Sequence, residues 1–308
     1  MCIRRKTVRG VFLAVSLFLS VMAVGVVVAV TGPGGASGSN AAAATAATPD
    51  PDYSATDTNE LLAIVDGRAY EDKPLNGRPL RLNDVVLAAE VLKTRGLAPE
   101  DDAKVRYRQA WALEKMTGRG QESKPCYEEL VSLHPDSKWS LIAAVRLGQL
   151  HDYIGPGTTD PVRNPRKAIY YNEFVVSHTD PAKVYYEVFC AHRCAGLLYW
   201  DEGQHEPART HFEAAYNMNA EVVEPLPSDR YWSAEELEEY RQRRATGIQH
   251  VKQRLPACIV GCCVGATPDE TRQELVQLKL RYPLDAAINA EADKAIAALA
   301  APPADGAS

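Results

Sequence analysis

The chain has 308 residues, a net charge of −6, 46% hydrophobic residues and 24% charged ones. That balance excludes a wholly disordered chain and leaves room for one or two domains with real cores. Arg4, Arg5, Lys6 and Arg9 all precede the first apolar run, so the rest of the chain is more acidic than the whole, which argues against nucleic acid as a ligand.

Residues 1–10 form a basic segment, and an apolar stretch follows over 11–31. From Val11 to Val30 there is no charge and only Ser16 and Ser20 are polar. As a helix, a run of that length spans ~30 Å, the thickness of a bilayer's hydrocarbon core. Cations on its N-terminal side alone orient it with the N-terminus inside and the remainder outside. The first reading is an uncleaved signal anchor, a single-pass transmembrane helix of the cytoplasmic membrane. The second is a cleaved signal peptide, cut after Gly38, that leaves a secreted or periplasmic domain; it ranks second because apolar regions of signal peptides are usually shorter than this one. Residues 32–58 are rich in Gly, Ala and Pro and read as a disordered linker. The tail 301–308 is similar in composition.

From residue 59 the apolar spacing is helical, and alternation at strand length is scarce. Val85, Ala88, Ala89 and Leu92 share one stripe, as do Val105, Ala112, Leu113 and Met116; Phe212, Ala215 and Tyr216 share another. Start signals agree. Asp180-Pro181 predicts an N-cap followed by proline, Ser233 with Glu236 predicts a capping box, and Thr267-Pro268 with Glu270 predicts another. Gly96, Gly118, Gly155 and Gly203 stand where helices should stop. The predicted fold is all-α: a helical N-terminal region over 59–102, helical hairpins over 103–218 and further helices over 219–300.

The stretch from His192 to Ala215 carries a small pair, Ala195-Gly196, then Tyr199, Gly203, Ala208, Phe212 and Ala215. The small residues let two antiparallel helices approach, the aromatics fill the space between them, and Gly203 lets the backbone reverse. This pattern resembles the tetratricopeptide repeat, with His192 in place of the usual opening Trp. Weaker copies begin at Ala110-Trp111 and at Leu147-Gly148, the latter interrupted by an inserted loop over 156–165. The resemblance extends to repeats of bacterial periplasmic and envelope proteins. It implies an α-α superhelix whose concave groove, lined by the first helix of each pair, binds a protein or peptide. On that basis Arg108, Lys115, Gln149, Asp152, Arg193 and Trp200 are expected to face the groove, and the partner to be another envelope protein. Each of these residues is also readable as an ordinary solvated or core residue.

Cys190 and Cys194 are four apart, as are Cys258 and Cys262, spacings that put each pair on one helix face. They read as buried thiols, as disulfides in an oxidising compartment, or, with His192, as zinc ligands. The close Cys-x-x-Cys metal pair is absent, and Pro256 argues against a regular helix through Cys258–Cys263. His205 and His211 read as surface residues. No nucleophile elbow, phosphate loop or dinucleotide fingerprint occurs, so neither a catalytic residue, a metal nor a cofactor is predicted. The leading expectation is a non-catalytic scaffold of the cell envelope. The alternatives are a self-associating structural envelope protein and a thiol- or metal-dependent redox protein using Cys190/Cys194 and Cys258/Cys262.

Overall fold

The computed structural model describes residues 50–66, 81–116, 119–152, 163–180, 183–221, 223–225 and 233–300. Their regular structure is helical: α1 Thr58–Val65, α2 Leu82–Lys93, α3 Pro99–Lys115, α4 Gly120–Leu133, α5 Lys138–Asp152, α6 Pro165–Ser177, α7 Tyr186–Asp201, α8 His205–Asn217, α9 Ala234–Lys252, α10 Leu255–Gly261, α11 Pro268–Arg281 and α12 Ala286–Ala300. Among these residues the sole strand-like feature is an isolated parallel bridge between Tyr185 and Glu224. No described helix is long and apolar enough to cross a membrane. The anchor expected over 11–31, the linker up to residue 49, Gly118, Gly155, most of the expected loop insertion and the tail lie outside the described residues.

Local sequence accounts for most of the helix ends. Ser233 Oγ accepts the Glu236 amide at 3.1 Å while Glu236 Oε2 accepts the Ser233 amide at 3.0 Å. Thr267 and Glu270 make the same reciprocal pair at 3.2 and 3.1 Å, so two orphan donors are satisfied at each start. Helix α3 opens on Pro99, carries Glu100, Asp101 and Asp102 in its first turn and ends with Lys115; each charge complements the helix dipole. Gly96 and Gly203 take φ of +63° and +75°, the left-handed conformation that closes a helix. Two expectations are corrected. Asp180 caps no helix, because α7 starts only at Tyr186. The expectation at Pro256 is corrected only in part: the proline sits in the first turn of α10, where its missing N–H is not needed, and Cys258 is helical, but the helix ends at Gly261 and no regular helix runs through Cys262 and Cys263.

The helices pack in neighbouring pairs. Each of α1 to α7 packs against the next, and contacts also join α1 to α3, α3 to α5, and α5 to α7. Helices α1, α3, α5 and α7 therefore share one layer. After α8 this order changes: α8 packs on α10, α10 on α12 and α11 on α12, while α9 touches α7 and α10. The core follows the chain. Leu61, Ile64, Ala88, Ala89 and Leu92 bury one end. Tyr127, Leu130, Trp139, Ala143, Ala144 and Leu147 fill the middle. Phe189, Phe212, Ile248, Ile259, Leu275 and Ile288 fill the far end.

The α7–α8 hairpin is tightly packed. Ala195, Ala208, Phe212 and Ala215 are each fully buried. A Cβ placed on Gly196 would lie 2.6 Å from Phe212 Cε1, inside any normal carbon contact. Glycine here serves close approach and not backbone freedom. A second such contact holds α10: a Cβ on Gly261 would meet Trp200 Cη2 at 2.2 Å. Gly261→Ala should therefore push α10 off α7 and lower stability by ~1–3 kcal/mol, against the gain alanine normally brings to a helix. Thermal unfolding measures this, and a melting temperature at or above that of the wild type would refute the contact.

Candidate functional site

The first helices of two successive hairpins, α5 and α7, border a cleft of about 510 Å³. From α5 come Ile142, Val145, Arg146 and Gln149, spaced to share one helix face. The start of α7 gives Tyr186, Glu187 and Cys190, α9 gives Tyr240 and Arg244, and Pro225 completes the lining. The cleft thus mixes an apolar wall with two guanidinium groups and a carboxylate.

Each arginine is held in place. The Nε of Arg146 donates to Glu114 Oε2 at 3.2 Å, its Nη2 donates to Glu114 Oε1, and its Nη1 donates to Gln149 Oε1 at 2.7 Å. Behind this pair the buried Tyr127 donates its hydroxyl to Glu114 Oε2 at 3.2 Å. Burial pushes the Glu114 carboxyl up, but the hydrogen bonds and charge of Arg146 outweigh it and hold the group below its ordinary value. Arg244 lies over two rings, with its guanidinium carbon 4.3 Å from the centre of Tyr186 and 5.3 Å from that of Tyr240. Tyr240 in turn donates to Glu187 Oε1 at 3.2 Å, which ties α9 to α7. Burial raises Tyr186 and Cys190 to about 12 each, so both stay protonated at neutral pH.

Of the six residues expected to face a groove, Gln149 lines this cleft and the other five do not. Arg108 is half-buried on α3, where burial lowers its pKa. Lys115, at the end of the same helix, sits 3.5 Å from Glu114. Asp152 accepts from Arg163 Nε at 2.8 Å. Arg193 acts electrostatically on Cys194 and Cys258. Trp200 packs edge-on against Phe212 at 6.1 Å and under Gly261, so α10 covers it. Arg146, Tyr186, Glu187, Cys190, Pro225, Tyr240 and Arg244 were not anticipated as cleft residues. Ile142, Val145 and Gln149 fall on the face of α5 away from the buried Ala143, Ala144 and Leu147, a pattern that could have pointed to the α5 wall. The α9 wall carries no such signal, because Tyr240 meets Glu187 across 53 residues of chain.

Of the three cysteine readings, plain thiols fit the structure and disulfides do not. Cys190, Cys194, Cys258 and Cys262 are free and form no disulfide. Burial raises Cys258 to about 11 and Cys262 to about 12, which suppresses the thiolate and hence the nucleophile. Cys263 accepts a long hydrogen bond from Arg209 at 3.9 Å. Among the described residues no group of three His, Cys, Asp or Glu side chains is placed to hold a metal ion. Histidine also departs from expectation: His211 is buried, its Nε2 2.8 Å from Glu173 Oε1.

A second cleft, about 500 Å³, lies between α8 and α11 and is lined by Glu206, Arg209, Cys262, Glu270 and Glu274 among others. Arg209 is bound there to Glu274 at 3.1 Å.

The fold and cleft define an all-α protein of helices packed in neighbouring pairs. The chain matches no known protein family, no curated protein and no solved structure.

Proposed function

We propose that this protein is a non-catalytic scaffold of tetratricopeptide type that holds a protein or peptide partner in the cleft between α5, α7 and α9. In this reading the apolar run at 11–31 tethers the helical domain to the cytoplasmic membrane, or exports it, and the partner is another envelope protein. The observation that carries it is the cleft itself: first helices of consecutive hairpins converge on one concave, mixed polar and apolar surface. Its two arginines and its carboxylate are braced by neighbouring side chains, the kind of preorganised surface that lowers the entropic cost of binding.

A photo-crosslinking residue placed at Gln149 of the full chain should trap a discrete polypeptide from membranes. Val145→Trp, which fills the cleft, should reduce that yield about tenfold with the helical circular dichroism unchanged, as expected when a central contact is blocked. A yield equal to that of the wild type, or turnover of a small substrate by the purified chain, would defeat the scaffold reading.

One observation favours a second reading, self-association. Val276 and Leu280 on α11 and Leu284 in the turn that follows are exposed apolar residues, with Leu284 97% exposed. Light scattering that finds only a monomer at working concentration would exclude it.

A further inference from the structure

Three helices meet at one partly buried cluster of ionisable side chains, with His211 buried and the Glu173 side chain 41% exposed. Glu173 of α6 accepts from Tyr199 of α7 at 3.0 Å, and the same Oε1 atom lies 2.8 Å from Nε2 of His211 on α8. The other nitrogen of that ring, Nδ1, is 3.0 Å from Nδ1 of His192 on α7. Tyr199 stacks on His211 with ring centres 5.6 Å apart. The cluster lies one turn from Gly196 along α7 and next to Phe212 on α8, at the contact that has no slack.

Counting protons shows what this geometry permits. A carboxylate at Glu173 accepts a hydrogen bond from Nε2–H of His211. The two Nδ1 atoms can then share one proton, in whichever direction it points. A single imidazolium fits, because its charge is balanced by Glu173 and its second N–H still finds a lone pair. Two imidazoliums do not fit, because two N–H donors would face each other at 3.0 Å with no acceptor between them.

We propose that Glu173, His211 and His192 form an acid-operated latch: one shared proton closes the α7–α8 hairpin against α6, and a second positive charge opens it. The charged groups acting on His192 are His211 of α8 and Glu173 of α6; beyond Tyr199, Glu202 acts on the tyrosine. Burial, and then the neighbouring His211, hold His192 down to about 4. An imidazole freed by opening titrates near 6.5. The open form therefore binds more protons than the closed one, and acidification through that interval drives the opening. Because α7 also supplies Tyr186, Glu187 and Cys190 to the cleft, the latch changes the cleft's wall whatever the cleft holds.

Backbone amide exchange of the full chain tests this, corrected for the intrinsic pH dependence and compared at pH 7 and about 4.5, within the histidine window. Protection of α7–α8 should fall about tenfold more than that of α11–α12, as in a local opening. His192→Gln, which removes the second charge and keeps a hydrogen-bonding side chain, should erase the difference. Glu173→Gln, which removes the balancing anion, should open the hairpin at higher pH than wild type. Equal loss in both regions of the wild type overturns the latch, as does a His192→Gln profile identical to wild type. Imidazole NMR of the unmodified chain decides independently of whether the variants fold. Two histidines titrating separately near their ordinary value with α7–α8 still protected would also overturn it.

Discussion

Gly196→Val should lower stability by about 3 kcal/mol, roughly 8 °C in melting temperature for a domain of this size. Glycine inside a helix is normally a weakness, and replacement by a better helix former gains up to ~1 kcal/mol. Here packing decides. The first added carbon already falls 2.6 Å from a ring atom of Phe212, and Phe212 is fully buried and has nowhere to move. Valine adds two further carbons at that point. Gly203→Ala provides the contrast: no atom lies within 4 Å of a Cβ there, but φ is +75°, so the cost is backbone strain alone, about 1 kcal/mol. Urea denaturation of both variants separates the mechanisms. A Gly196→Val midpoint equal to that of Gly203→Ala would show that the helices yield and that the close approach is not required.

Removing the charge of Arg146 is the second large effect. Arg146→Met leaves Glu114 half-buried beside the hydroxyl of a fully buried Tyr127. Lys115, 3.5 Å away and largely exposed, is a poor replacement. Leaving a buried charge without its partner costs several kcal/mol; Arg146 is about a third exposed, so about 2 kcal/mol is expected at neutral pH. The sign of the pH dependence follows from Glu114. Its carboxyl is held below the ordinary value in the folded chain, so its stabilisation is present above that value and lost as pH falls through the folded one. The variant has lost this term already, and its deficit relative to wild type should shrink on acidification. Adding Glu114→Gln to Arg146→Met should restore part of the loss, because the orphan charge is gone. A double variant no more stable than Arg146→Met would mean the two side chains are not coupled.

What could be read from the sequence was local. Ala195, Gly196, Ala208 and Phe212 belong to one hairpin of adjacent helices, and their sizes and intervals state how close those helices come. The Ser233 and Thr267 boxes are legible because every atom involved lies within four residues. The cleft was legible only along α5. Its third wall depends on where α9 lands, and Arg244 looks like any surface arginine of an acidic helix until Tyr186 and Tyr240 are found beneath it. His211 misled for a related reason. It sits among polar neighbours in sequence, and what buries it is Glu173, thirty-eight residues earlier. Trp200 misled in the opposite direction, since a large aromatic on the first helix of a hairpin suits a groove, yet α10 returns from more than fifty residues downstream to cover it. Asp180-Pro181 has the chemistry of a helix start, but the chain runs on to the bridge at Tyr185 before turning.

The way α9 is fastened has a consequence for how the molecule comes into being. Tyr240 and Arg244 are emitted from the ribosome some fifty residues after the α7 side chains they dock upon. A chain released at Pro225 would already contain the hairpins from α3 to α8, yet its trough would lack one bank. The cleft is thus complete only once α9 has been made, late in synthesis.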